Sequence, residues 1–363
     1  MRPILPKVEL HCHLLGVVNP PLLREIRQCG GSILLEPSTL DSAYPIRDLG
    51  SFKRWVEVLS PYQSATPDAM RPILAAHISN LIAQHVVYSE IMISPTMFPR
   101  DLRPLLQAFQ CWREWAYELE RGQVQIEFIM VVPRTLDPDV LRRDTETFVE
   151  LYREGLIVGV ALVGPENGES IQRFASSFSR WREAGLGIEI HAGEHSGPES
   201  IRDALRYGMP DRLGHSLSAF QDPVLLDELR HNNVHIEFCL TSNLRTGAVK
   251  QIGEHPARRA RELGMNFSLS TDNPGAFECS MTSEFHLAME ALGFGPDDFK
   301  TIFQNALAAR FERKLRHDPS SRALGNDHAL RAPGSAVAPT SILQKSSVFP
   351  LRRRLAANFT GGW

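Results

Sequence analysis

Short apolar, β-branched runs bounded by turn residues recur eight times along the chain, over residues 8–13, 86–93, 124–132, 157–163, 187–191, 212–215, 234–239 and 266–270. Runs of this length read as strands. Between most of them lie longer segments whose apolar residues fall at helical spacing. Residues 102–119 place Trp112 and Trp115 on one apolar side, and residues 138–152 repeat Leu141, Phe148 and Leu151. Residues 198–207, 222–231 and 255–263 are shorter segments of the same kind. Strands alternating with helices predict a parallel sheet covered on both faces, and eight such units close a (β/α)₈ TIM barrel of class α/β. An open, doubly wound sheet is the alternative, but no Gly-rich phosphate loop follows the first strand.

Two stretches break the alternation. Residues 20–72 carry no clear strand, and Phe52-Lys53-Arg54-Trp55-Val56-Glu57-Val58-Leu59 reads as a short amphipathic helix. In a barrel, a helical insertion after the first strand lies over the carboxyl-terminal mouth, where it packs as surface or acts as a lid. Towards the other end, Ser, Ala, Pro, Arg and Gly dominate without periodicity. The chain therefore divides into a barrel over residues 1–315 and a low-complexity, disordered tail over residues 316–363. The basic triplet Arg352-Arg353-Arg354 in that tail reads as solvated.

Composition narrows the class. A net charge of −3 gives no basic surface for nucleic acid and none for a membrane. No apolar run is long enough to span a bilayer. The chain enters its first strand almost at once, which leaves no room for a signal peptide. Five scattered cysteines, with no Cys-x-x-Cys pair, argue for a reducing, cytoplasmic setting and against a thiolate metal site. Oligomeric state is not legible.

The chemistry sits at strand ends. In Val8-Glu9-Leu10-His11-Cys12-His13, strand alternation sends His11 and His13 to one face and Cys12 to the other. The fifth strand ends at His191 and the eighth runs into Asp272. Three imidazoles and a carboxylate suit a divalent ion such as Zn²⁺, with one position left for water. Glu194, three residues beyond His191, stands where a desolvated carboxyl can act as general acid. His215, ending the sixth strand, is placed to orient or deprotonate water. His195 reads as rim, and His235 and Glu237 read as structural residues without partners.

Taken together these segments resemble the adenosine deaminase family. The resemblance is carried by Pro6-Lys7-Val8-Glu9-Leu10-His11-Cys12-His13, Tyr88-Ser89-Glu90, His191-Ala192-Gly193-Glu194 with Gly197-Pro198-Glu199-Ser200, Arg212-Leu213-Gly214-His215, Thr241-Ser242-Asn243 and Ser270-Thr271-Asp272-Asn273-Pro274. It runs in order from about residue 6 to about residue 311. It implies a metal-dependent barrel that hydrolyses the exocyclic six-amino group of a purine and releases ammonia. His11, His13, His191 and Asp272 would then hold one Zn²⁺ per subunit. Glu194 would protonate a purine ring nitrogen, His215 would position the attacking hydroxide, and Asp272 would take the proton of the water. Gly164 matches a glycine whose backbone N–H meets the purine.

Three departures from the family pattern bear on substrate. Leu15 stands where the family usually has an acidic residue that can bind the sugar. Asn273 replaces a frequent second Asp and keeps a hydrogen-bond donor for the purine. Ser216 replaces a Gly and would add a small polar group near the pocket. The expected reaction is deamination of adenosine or a five-prime-modified adenosine to the six-oxo product. Deamination of adenine or aminodeoxyfutalosine, another hydrolysis on the same scaffold, or a catalytically silent purine-binding paralogue are the alternatives. The expected partner is a small purine.

Overall fold

The computed structural model describes residues 5–63, 65–98, 101–166 and 168–313. The expected tail over residues 316–363, with its basic triplet, lies outside the described residues. Eight strands form one sheet in sequence order: β1 (Lys7–His13), β2 (Val86–Ile93), β3 (Gln125–Pro133), β4 (Gly159–Val163), β5 (Gly187–Ala192), β6 (Arg212–His215), β7 (His235–Phe238) and β8 (Phe267–Leu269). Each pairs in parallel with the next. The seam between β8 and β1 closes just beyond β8. There the Asp272 N–H donates to the His11 carbonyl at 2.9 Å, and the His13 N–H donates to the Asp272 carbonyl at 2.8 Å. The expected (β/α)₈ barrel is the fold.

Alternation along the strands explains the two cores. Outward residues such as Ile188, Ile190, Leu213, Ile236 and Phe238 are buried beneath the helices in one large apolar layer. The barrel interior is split in character. Near β2 to β4 it is apolar, with Met92, Ile129, Val131, Ala161 and Phe311 packed together. Elsewhere it is charged: His11, Glu90, Glu189, Arg212 and Glu237 all have no exposed surface. Phe311 closes the lower end, with the Arg212 guanidinium 3.6 Å from its ring centroid. Gly187 has room for that ring only because it lacks a Cβ, which would lie 2.2 Å from Phe311.

The segment after β1 is helical, as expected, and tied down at several points. Its helices are Pro20–Gln28, Pro37–Asp41, Leu49–Val58 and Ser60–Gln63. The Tyr44 hydroxyl donates to the Gly275 carbonyl at 2.8 Å and receives the Trp55 indole N–H at 3.1 Å. The Phe52 ring packs on Phe277, with centroids 5.1 Å apart. These contacts dock the insertion on the segment that follows β8 and carries Asn273.

Two boundaries differ from the periodicity reading. The insertion does not stop at Pro72, because a helix runs through it from Pro67 to Ala83. Pro72 removes one backbone hydrogen bond, but burial of Ile73, Leu74, Ile78 and Leu81 outweighs the loss. The helix expected over residues 198–207 is α-helical only over Pro198–Asp203 and widens to a π turn over Ala204–Gly208. That turn presses Gly208 onto Ile190, where a Cβ would fall 2.1 Å from the side chain. Among the described residues no helix is long and apolar enough to cross a membrane, and all five cysteines are unpaired thiols.

Candidate active site

His11, His13, His191 and Asp272 converge at the upper end of the barrel. One ring nitrogen from each of the three histidines falls within 4.8 Å of the other two. Oδ1 of Asp272 is 3.3 Å from Nε2 of His13 and 3.6 Å from Nε2 of His11. Nε2 of His11 and of His191 are buried and have no hydrogen-bond partner. A native protein rarely buries two such atoms without a reason, and an ion is one.

The surroundings fit a cation. Burial lowers the affinity of His11 for a proton, but Glu189, Asp272 and Glu237 outweigh it and push its pKa well above the ordinary value. The pocket thus asks for positive charge on His11, which an ion at Nε2 would supply. Burial keeps His13 neutral, down to about 4, and lowers His191 as well. Asp272 is pushed up by burial, but contact with His11 and the nearby His13 and His215 hold it ionised, well below the carboxylate range. Three imidazoles with one carboxylate are donors of the kind zinc takes.

Beneath these four residues lies a layer that the sequence does not announce. Nδ1 of His11 is 2.9 Å from Oε2 of Glu237 and 3.0 Å from Oε1 of Glu189. Arg212 braces both carboxylates from below, with Nε 2.5 Å from Glu237 and Nη2 3.5 Å from Glu189, and also meets Glu90. Burial raises the carboxyls, yet Arg212 and His11 hold Glu237 ionised, while burial and the adjacent Glu237 push Glu189 up. The reading of Glu237 as a residue without partners is therefore corrected. His235, by contrast, is spent on Asn266 and Ser268, at 2.8 and 3.0 Å.

Glu194 and His215 face the same space. Burial raises the Glu194 carboxyl to about 7 and lowers the His215 imidazole to about 4. Nε2 of His215 is 3.7 Å from Oε2 of Glu194. Asn243 lies behind both, with Nδ2 3.2 Å from Oε1 of Glu194 and 3.1 Å from Nδ1 of His215. The loop carrying Glu194 is held by Glu166, whose carboxylate accepts the N–H groups of Gly193, Glu194 and His195 at 2.6, 2.8 and 3.2 Å, together with the Ser200 hydroxyl. Ser242 donates to Oδ2 of Asp272 at 2.6 Å. In the sequence Thr241-Ser242-Asn243 is only a matching segment, and Glu166 carries no signal of its own.

His215 and Asp272 both have left-handed backbones, with φ of 63° and 62°. Such geometry in a non-glycine residue costs about 1–3 kcal/mol and concentrates at functional sites. Ser216 has φ of 45° as well, which accounts for a glycine as the ordinary occupant. Its hydroxyl donates to the Ala192 carbonyl at 3.1 Å and is engaged there. Gly164 directly follows β4 with φ of 99°. Leu15 opens the single 3₁₀ turn Leu15–Val17 after His13 and packs half-buried against the core. Asn273 is buried, donates to Oδ1 of Asp272 at 2.6 Å and lies against Gly16, where a Cβ would be 2.3 Å from its Oδ1. His195 is on the exposed loop, with Nε2 3.6 Å from Oε1 of Glu194.

Comparison with known proteins agrees with this geometry. The family model described as adenosine deaminase matches residues 6–318. The chain is 33% identical over 315 residues to an adenine deaminase of Rhizobium meliloti strain 1021, covering 85% of this chain and 94% of the relative. It is 30% identical to an adenosine deaminase of Edwardsiella ictaluri over 84% of this chain and 93% of the relative. It is also 30% identical to an aminodeoxyfutalosine deaminase of Streptomyces avermitilis, covering 85% and 87%. Two solved structures share the fold: an adenine deaminase from Arthrobacter aurescens, with TM-score 0.70, 23% identity and coverage of 85% and 94%, and a zinc-bound amidohydrolase from Burkholderia ambifaria, with TM-score 0.72, 23% identity and coverage of 88% and 89%.

Proposed function

We infer the reaction from the premise that the chain belongs to the adenosine deaminase family and is a hydrolase of the deaminase type: it removes the six-amino group of a purine with the help of one zinc ion. The observation that carries this reading is the convergence of three imidazoles and the Asp272 carboxylate on the space that Glu194 and His215 face. The zinc assignment is supported by the donor set and by the zinc in the amidohydrolase of similar fold. The catalytic unit we assign is residues 1–315.

His11, His13, His191 and Asp272 would hold the ion, which when bound supplies Lewis-acid activation of water at neutral pH. Glu194 enters the cycle protonated and donates to the purine ring nitrogen beside the reacting carbon, making that carbon electrophilic. His215 offers a ring nitrogen to the attacking water and orients it. Asp272, held ionised, accepts the proton that this water gives up. The Gly164 backbone N–H meets the purine, and the absent Cβ allows the approach. Asn273 fixes Asp272 through its short amide bond and offers its remaining N–H to the base.

Among six-aminopurines we assign free adenine as the preferred substrate. Leu15 brings an apolar side chain where the family usually has a sugar-binding acid, and an adenine deaminase is among the relatives at or above 30% identity. A nucleoside with an apolar five-prime group is the second reading, favoured by the same leucine and by the aminodeoxyfutalosine deaminase relative. The test is ammonia release from adenine, adenosine, its phosphates and apolar five-prime-modified nucleosides, with metal content measured on the same sample. Adenosine winning by a wide margin would refute the substrate assignment. A zinc-loaded protein that turns over none of them would refute the reaction.

A further inference from the structure

Behind the site, Asn243 links the two groups that handle protons, and its own orientation is fixed from the far side. His255 is buried, and its Nδ1 accepts the backbone N–H of Ala257 at 3.1 Å. Burial holds this ring neutral, down to about 3. A neutral imidazole that accepts at Nδ1 carries its proton on Nε2. That Nε2 is 3.2 Å from Oδ1 of Asn243, so the bond runs from imidazole to amide oxygen. The amide NH₂ must then point the other way, with one N–H for Oε1 of Glu194 at 3.2 Å and one for Nδ1 of His215 at 3.1 Å. An amide N–H only donates, so Nδ1 of His215 accepts. The opposite tautomer would set two donors against each other at 3.1 Å in a buried site.

We propose that His255 and Asn243 are positioning residues that fix His215 as the Nε2–H tautomer and reserve Oε1 of Glu194 as an acceptor, so that the transferable proton of Glu194 sits on Oε2. The chain of command starts from a main-chain amide and reaches the reaction centre in three hydrogen bonds. Each member is neutral, so the arrangement sets direction without moving net charge. The kinetic consequences rest on the deaminase reading above, whereas the tautomer itself does not.

The test is a two-bond ¹H–¹⁵N spectrum of the zinc-loaded full chain labelled at histidine, with His215 assigned by its loss in His215→Gln. The expected wild-type signature is a neutral ring protonated at Nε2. Asn243→Asp keeps the shape but replaces the donor by an acceptor. It should move the His215 proton to Nδ1, lower kcat by up to roughly 10⁴, the cost of a wrong tautomer in a hydrolytic triad, and leave KM and zinc content near wild type. His255→Gln keeps a donor for Oδ1 of Asn243 and should retain the tautomer and most of kcat, whereas His255→Leu should lose both. A wild-type His215 protonated at Nδ1 overturns the proposal. So does a folded Asn243→Asp with unchanged tautomer and kcat. If Asn243→Asp does not fold, the wild-type spectrum and the two His255 variants decide. Wild-type protein that shows the Nε2–H signature but releases no ammonia from any six-aminopurine sinks the deaminase reading and still supports the tautomer.

Discussion

Oε2 of Glu237 lies 2.9 Å from Nδ1 of His11, so the buried carboxylate takes the proton on that side of the ring and leaves Nε2 facing the ligand space. A partner behind a metal-binding histidine orients the ring and raises its basicity, and losing one typically costs 10–100-fold in metal affinity. Glu237→Gln should therefore weaken zinc binding by roughly 10–100-fold in a chelator competition, with the helical signal of the folded chain retained. Unchanged affinity would show that Glu189 alone suffices to orient His11.

Glu194→Gln should keep metal and fold and lose roughly 10²–10⁴ in turnover, the usual share of a general acid. The pH dependence has a definite sign. Burial raises the Glu194 carboxyl to about 7, so the proton it must donate is present below that pH and absent above it. The rate constant kcat/KM should fall about tenfold per pH unit on the alkaline side. A profile flat through pH 8 to 9 would remove Glu194 from the acid role.

Leu15→Asp restores an acidic group beside His13. The ratio of kcat/KM for adenosine over adenine should rise by about tenfold or more, the worth of one hydrogen bond to a charged group. Steady-state kinetics on the two substrates measures it. A ratio that stays put would mean the sugar is excluded by another part of the mouth.

Glu284 gives a stability prediction. Burial raises its carboxyl from 4.5 to about 7, although Thr241 donates to it from both N–H and hydroxyl. A carboxyl with its folded pKa raised contributes stability that is complete below the unfolded value. That contribution is lost as pH rises through the folded one. Wild type should lose on the order of a few kcal/mol between about pH 4.5 and 7 relative to Glu284→Gln. Denaturant melts of both proteins at pH 5 and pH 8 provide the comparison, and equal shifts for the two would refute the assignment.

The sequence carries the barrel well because each strand is a short apolar run whose ends fall on turn residues. It also carries the convergence of His11, His13, His191 and Asp272, since polar residues at strand ends have few other places to go. It does not carry Glu189, Arg212 and Glu237 as a unit. They lie on β5, β6 and β7, and only curvature of the sheet turns their alternate faces inward towards His11 on β1. Glu237 therefore looks solitary in one strand and is paired in the closed barrel. The roles of Glu166 and Asn243 are hidden for a related reason: Glu166 acts on the loop after β5, and Asn243, from the helix Leu240–Arg245, acts on Glu194 and His215. Pro72 misleads in the opposite way, because local propensity marks a stop that the buried face of its helix overrides.

Asp272 supplies both a carboxylate to the site and the backbone bonds that join β8 to β1. Opening of the last seam and loss of the proposed site are therefore one event. A barrel that frays there would draw this carboxylate away from the three imidazoles in the same event. Activity would then report the integrity of one joint, and heat inactivation should run ahead of global melting.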